Sequence, residues 1–372
     1  MEVRLDRTEL ATELAPMQGI VERKSTIPVL SHLLLTTGGG KLHLSATDLD
    51  VSLTSWCEAD VVHEGGIAVQ AKKFMEIIRS LRSEEVVLRL DSPKELTIDA
   101  GSYRSKIHGL APEDFPKLPS VEESSAVDLP FAEFRRMVGK ILFAISADES
   151  RFQLGGALLK VKEHSLEMVA TDGHRLALVE SRLGLEGEEE REASPESTAL
   201  VPRKALQEIQ RFDGKGVVTY LRGTQHLSFR VGRRELICRL LEGNFPDYER
   251  VVEHEIDVQV EFQRQHLMEA VGRVALLTGD RARGIRLSFS EGQLTLSAAN
   301  PDLGEASEQI ECGFDRDSMS VGLNPDYLRD FLSAVETDSV RFDFKDESSQ
   351  CVGYPVEGQD VRYLCVIMPM RL

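Results

Sequence analysis

L-H-L-S-A-T-D-L-D at residues 42 to 50 returns as L-E-M-V-A-T-D-G-H at 166 to 174 and as L-T-L-S-A-A-N-P-D at 294 to 302. Each copy alternates in the way of a strand with one buried face and runs into an Asp or Asn, residues whose side chains bond turn backbone. The copies begin at intervals close to one third of the 372-residue chain. A repeat on that scale has to be read before any single motif is trusted, because it fixes the architecture.

Neighbouring patterns recur in the same order. Upstream of each copy lies a helical stripe: Leu10, Leu14, Met17 and Val21; then Phe134, Val138, Ile141 and Ile145; then Leu267, Val271, Val274 and Leu277. The spacing of three and four residues places each set on one helix face. Downstream, V-Q-A-K-K-F-M-E-I-I-R-S-L, L-V-P-R-K-A-L-Q-E-I-Q-R-F and V-G-L-N-P-D-Y-L-R-D-F-L-S-A-V each predict a short strand and a second helix. Further strands follow, such as E-V-V-L-R-L and G-V-V-T-Y-L, and the first two copies close on E-D-F-P-K-L-P and G-N-F-P-D-Y. The expected fold class is α+β, with three repeated domains of two helices and about eight antiparallel strands, at residues 1–124, 127–253 and 255–372. Equivalent sheet edges can pair end to end, and a second chain can close the edges left open at the two ends of the array.

Composition bounds the function. No run approaches 18 apolar residues and the N-terminus, M-E-V-R-L-D-R-T-E-L, is charged, so a cytoplasmic protein is expected. Five scattered cysteines without a C-x-x-C pair argue against a disulfide framework and structural zinc. The formal net charge of -18 speaks against a polyanionic partner for the surface as a whole. Its densest acidic run, Glu186 to Glu192, lacks apolar periodicity and reads as a solvated loop.

Thr171, Asp172, Gly173, His174 and Arg175 gather chemically capable side chains, but adjacent residues on a strand and turn rarely converge on one reacting atom. The Asp or Asn recurs in all three copies, as a turn requires, whereas His174 and Arg175 belong to the middle copy alone. A binding site suits them better than catalysis. Gly38-Gly39-Gly40-Lys41 lacks the ending of a phosphate loop, and His32, His43, His63 and His108 show no metal-ligand spacing. Neither an active site, a metal nor a cofactor is expected.

V-A-T-D-G-H-R-L-A, N-F-P-D-Y-E-R-V, L-V-P-R-K, S-T-I-P-V-L-S-H-L-L-L and the terminal V-I-M-P-M-R-L together resemble the bacterial DNA polymerase III beta subunits, the sliding clamps, along the whole chain in order. The resemblance implies a head-to-tail homodimeric ring of six domains around duplex DNA, with helices lining the hole. It also implies a non-enzymatic role: the ring tethers the polymerase III catalytic subunit, is opened by a clamp loader, and receives short linear motifs of other polymerases and repair proteins. Two rivals stand beside it, an enzyme using Asp172 and His174, and a peptide-binding scaffold that never encircles DNA.

The resemblance assigns a partner-peptide pocket to Leu154, Thr171, Gly173, His174, Arg175, Leu176, Pro246, Arg250, Val251, Val366, Met368, Pro369, Met370, Arg371 and Leu372. Flexible, polarizable methionines suit varied apolar anchors there. It places Ile107, Leu276 and Leu277 at the subunit interface, and Lys24 and Arg151 at DNA-contacting loops. The second helices of the first two repeats add Lys72, Lys73, Arg79, Arg203 and Lys204 as candidate DNA contacts, for they are net basic within an acidic chain. Asp326, Arg329 and Asp330 make the third counterpart an exception.

Overall fold

A computed structural model describes residues 1–21, 27–122, 126–182, 196–253, 255–279, 283–356 and 361–371. Lys24, Leu372 and the acidic run 186–192 lie outside the described residues. The helices are α1 (Arg7–Ile20), α2 (Ala71–Ser80), α3 (Phe131–Ile141), α4 (Arg203–Gln210), the single turn α5 (Glu249–Val252), α6 (Arg264–Ala275) and α7 (Pro325–Ala334). Each repeat supplies two long helices, and the strands number nine, eight and eight among the described residues. The extra strand, Asp60–His63, adds to the edge of Glu2–Asp6 in the first repeat.

The described chain forms two compact units, 1–135 with 204–240 and 136–203 with 241–372, so the middle repeat is divided between them. The reason is strand pairing across repeat boundaries. In the first unit, one sheet of 13 strands includes strands of the first repeat and four of the middle one. Its seam is antiparallel: Val51–Glu58 lies against Arg234–Arg239, with Val51 opposite Cys238 and Thr54 opposite Glu235. In the second unit, an eight-stranded sheet has a comparable seam, Arg175–Arg182 against Val361–Ile367, with Arg175 opposite Ile367. A separate four-stranded sheet ends on the strand Gly304–Glu311.

Apolar stripes drive this packing. In the first unit Leu10, Leu14 and Met17 of α1 and Phe74 and Ile78 of α2 are buried, as are Phe134, Phe212, Tyr220 and Phe229. The seam there carries a buried charge pair. Glu13 accepts from Arg234 Nε and Nη2 at 2.9 and 3.1 Å and from Ser55 Oγ at 2.5 Å. Burying such a pair contributes little net stability, yet losing one partner strands the other charge, so the pair fixes how the repeats meet. In the second unit Lys140 of α3 is buried, with Nζ 4.7 Å from the Tyr363 ring centroid and 3.4 Å from Glu336.

Four of the five cysteines are buried, and all are free. No described helix is long and apolar enough to cross a membrane, and no cluster of His, Cys, Asp or Glu among the described residues is fit to hold a metal ion.

Candidate functional site

The T-D-G-H-R stretch is a turn held by its own side chains. Asp172 Oδ1 accepts from the backbone N–H of His174 and Arg175 at 2.9 and 3.0 Å. Thr171 Oγ1 donates to the Arg175 carbonyl at 2.6 Å and accepts from Gly173 N at 3.1 Å. Gly173 takes φ +88°, open to a residue without Cβ. The first repeat builds the same turn: Asp48 Oδ1 accepts from Asp50 and Val51 N–H, and Leu49 takes the left-handed place of Gly173 at φ +82°. Asp172 Oδ1 is thus engaged by the turn's own backbone, as a turn residue requires.

Arg175 is equally committed. Nε donates to Asp172 Oδ2 at 3.0 Å, Nη1 to Asp330 Oδ2 at 2.6 Å and Nη2 to the Phe143 carbonyl at 2.5 Å. Its guanidinium lies 4.3 Å from the Tyr327 ring centroid and 5.2 Å from that of Phe143. Only a planar fork of donors can serve these three acceptors while stacking. Three of its five N–H groups thereby tie the turn to α7 and to the Phe143 carbonyl.

Beside the turn, an apolar cluster unites residues remote in sequence. Leu158, Val169, Leu176, Leu178, Leu200, Tyr248, Val252, Val352, Leu364 and Val366 are buried together, and Leu241, Phe245, Val251 and Tyr354 pack on them half exposed. Leu154 is buried at the end of a short 3-10 turn. Pro246 and Arg250 are exposed, and Arg250 pairs with Asp247 at 3.0 Å. The C-terminal segment is tied down: Met368 N–H donates to the His174 carbonyl at 2.9 Å and Met370 N–H to the Gly322 carbonyl at 2.8 Å. Met368 nonetheless keeps 41% of its surface exposed.

The basic candidates differ in freedom. Lys72 and Lys73 are exposed on α2 and share Glu76, whose carboxyl is held below its ordinary pKa chiefly by the Lys73 hydrogen bond. Arg79, also exposed, reaches Gln18. By contrast, Lys204 is spent on the Asp48 carboxylate and the Ile20 carbonyl, and Arg203 Nε is buried without a hydrogen-bond partner among the described residues. Arg151 is exposed, 3.7 Å from Asp148 and 3.5 Å from the Asp172 carbonyl.

Among the strand edges left open within the described residues, two belong to the outer repeats at places that the seams fill elsewhere. Gly304–Glu311 pairs on one side only, and Tyr103–Leu110 uses its second side just at Gly109 and Leu110. Exposed apolar side chains lie at these elements: Tyr103, Leu303 and, at the end of α6, Leu276, which is 77% exposed. Ile107 and Leu277 are half buried.

The residues that hold Arg175 from outside the turn, Asp330, Tyr327 and Phe143, were not singled out as binding residues by sequence. Asp330 stood out only because it broke the basic pattern of the second helices. Tyr248 lies inside the quoted N-F-P-D-Y, and nothing local marks it as part of a buried cluster.

Comparison with known proteins follows the same three-part division. Models of the DNA polymerase III beta subunit match here as its N-terminal domain over residues 1–119, its central domain over 128–247 and its C-terminal domain over 249–371. The beta sliding clamp of Pseudomonas putida is 35% identical and that of Escherichia coli 31%, each covering all of both chains. Among solved structures, the DNA polymerase III subunit beta of Pseudomonas aeruginosa aligns with a TM-score of 0.91 at 33% identity. A sliding clamp of Bartonella birtlesii bound to griselimycin aligns with 0.92 at 30%; both cover the full chains.

Proposed function

The chain belongs to the DNA polymerase III beta subunit family, the replicative beta sliding clamps, and from that premise we propose that two copies close head to tail into a ring around duplex DNA. The observation that carries this reading is the register of the two seams. Val51 and Arg175 hold the same place in the repeat, four residues after Thr47 and Thr171, and each faces the last strand of the next repeat. Their counterpart in the third repeat is Gly304, one residue before Glu305, which pairs with Ala299 as Ser52 pairs with Thr47.

Cys238, opposite Val51, lies four residues after Arg234, the first residue beyond a two-residue hairpin whose counterpart in the first repeat is Gly101-Ser102. Ile107 is thus the equivalent of Cys238. Copying the seam onto the open edges sets Ile107 of one chain against Gly304 of the other, Ser105 against Ala306 and Tyr103 against Glu308. In this register Lys106 stands opposite Glu305, a favourable cross-strand charge pair. One edge carries Arg104, Lys106 and His108, and the other Glu305, Glu308 and Glu311. Leu276 and Leu277 then lose their exposure in the dimer.

In this ring Lys72, Lys73 and Arg79 face the phosphates, with Arg151 and Lys24 as further contacts and lesser parts for Arg203 and Lys204. Such contacts carry no sequence information and weaken steeply with salt, which suits sliding. Encirclement, rather than affinity, gives residence time. The apolar cluster beside Thr171, Gly173, His174, Leu176, Val366 and the Met368–Leu372 tail is the docking pocket for apolar motifs of the polymerase III catalytic subunit, the loader and other polymerases and repair proteins, with Arg175 as its brace. Clamp structures bound to griselimycin, such as those from Pseudomonas aeruginosa and Bartonella birtlesii, support a peptide-like ligand for the family. The protein acts without catalysis, in the cytoplasm, through three domains bounded near residues 124–127 and 253–255.

Retention on nicked circular DNA after loading and a high-salt wash tests the ring. The protein should stay on the circle and leave when the circle is linearised; equal retention on both forms would overturn encirclement in favour of a contact-bound scaffold.

A further inference from the structure

We infer that Glu167 and Tyr248 are positioning residues for the peptide pocket: a buried carboxylate at the back of the floor holds the tyrosine that carries the pocket's outer wall. This inference rests on the pocket reading above.

Glu167 lies on the strand Ser165–Thr171, whose side chains from Leu166 onward are all buried. An acid there is costly unless it is fully partnered. Its Oε1 accepts from the Tyr248 hydroxyl, and its Oε2 accepts from Lys162 Nζ at 3.0 Å. Lys160 Nζ lies 3.6 Å from Oε1 and donates to the Tyr248 hydroxyl at 2.6 Å. Outer partners hold the lysines in turn: Glu249 is 3.5 Å from Lys160, and Glu180 accepts from Lys162 and from Ser165 Oγ, both at 3.0 Å.

Tyr248 joins this polar network to the apolar cluster. Its ring is buried with Leu158, Leu176 and Val366 and meets Phe245 edge to face at 6.2 Å between centroids. Its carbonyl accepts from Val251 and Val252 N–H at 2.9 and 3.0 Å, which starts the single turn α5. The segment it anchors carries Pro246, Arg250 and Val251. A second tie, from Gln350 Nε2 to the Val251 carbonyl at 2.7 Å, acts on the same turn.

A four-residue helix is too short to hold itself. The wall is therefore only as fixed as its ties, and a wall that is fixed before binding spares an incoming peptide the entropy of ordering it. Removing the hydroxyl or the carboxylate charge should loosen the wall while the sheet ladders keep the fold.

The test measures binding of a fluorescein-labelled apolar pentapeptide with two leucines and a phenylalanine to the full-length dimer, by anisotropy. Tyr248→Phe and Glu167→Gln should each weaken binding by about tenfold, through faster dissociation, and the double variant by no more than either alone. Dimer mass should stay that of the parent, and the thermal midpoint should fall by only a few degrees, the scale of one lost buried hydrogen bond. A chain lacking Met368 to Leu372 serves as the control. If that truncation loses the peptide while both point variants bind like the parent, the positioning role is overturned and the pocket stands. If the parent itself does not bind, or the truncation binds equally well, the pocket reading fails and the inference with it. Should Tyr248→Phe not fold, Glu167→Gln decides alone.

Discussion

Arg175 is held by interactions within its own chain. Three acceptors and two rings surround it, and the side chain is 11% exposed. Arg175→Ala should lower unfolding free energy by about 2–3 kcal/mol, the scale of charge-assisted hydrogen bonds, read as an earlier denaturant midpoint. Arg175→Lys should recover only part of this, since an ammonium cannot match the fork. Glu208 makes a pH-dependent counterpart. Burial pushes its carboxyl up, and Asp48 adds to the rise while Arg211 and Lys204 oppose it. One oxygen is paired with Arg211; the other is buried without a partner among the described residues, against Gly19 of α1. Because the folded chain binds this proton more tightly than the unfolded one, the contribution is full below the ordinary Glu pKa and is lost as pH rises through the raised value. The thermal midpoint of Glu208→Gln relative to the parent should accordingly climb between pH 5 and pH 8. A flat or falling difference would mean that the carboxyl is charged across that range.

At the scale of elements, the seams make the sharpest claim. Backbone ladders weld neighbouring repeats, and side chains lock them: Glu13 with Arg234 at one seam, Arg175 with Asp330 at the other. A one-residue slip of register would turn every inward side chain outward, so register is strongly specified. If the third seam copies the other two, a chain carrying Ser105→Cys and Ala306→Cys should form a covalent dimer under mild oxidation, seen on non-reducing gels. Ser105→Cys with Glu305→Cys, which points the thiols to opposite faces, should not. Cross-linking in the second pair alone would shift the register by one residue. The basic character of α2 and α4 also divides at this scale, for α2 presents Lys72 and Lys73 to solvent while α4 turns Lys204 inward to Asp48.

For the molecule as a whole, a net charge of -18 and a DNA-encircling role are compatible because a ring needs no high affinity. In the proposed ring, acidic surface elsewhere would discourage DNA from the wrong face, while the exposed lysines of α2 would favour the path of the duplex. Retention on a closed circle should then change little with salt, whereas any binding to linear DNA should fall steeply between 50 and 200 mM. A steep salt dependence on the circle as well would make contact, not topology, the source of retention.

The triple T-D-L-D, T-D-G-H and A-N-P-D was legible by itself, along with the helix stripes around each copy, because hydrophobic period and turn chemistry are local properties. Those patterns determined the repeat, the α+β class and the turn role of Asp172, and the T-D-G-H-R-L and M-P-M-R-L stretches pointed to the family. They did not reveal that the middle repeat is shared between two units, that Asp330 pairs with Arg175 from 155 residues away, or that Glu167 is buried under Tyr248. Seam pairing, salt bridges and burial depend on which distant strands become neighbours. An isolated Asp or Glu in sequence looks like solvated surface whether or not a partner arrives, and only the tertiary structure brings that partner within hydrogen-bonding distance.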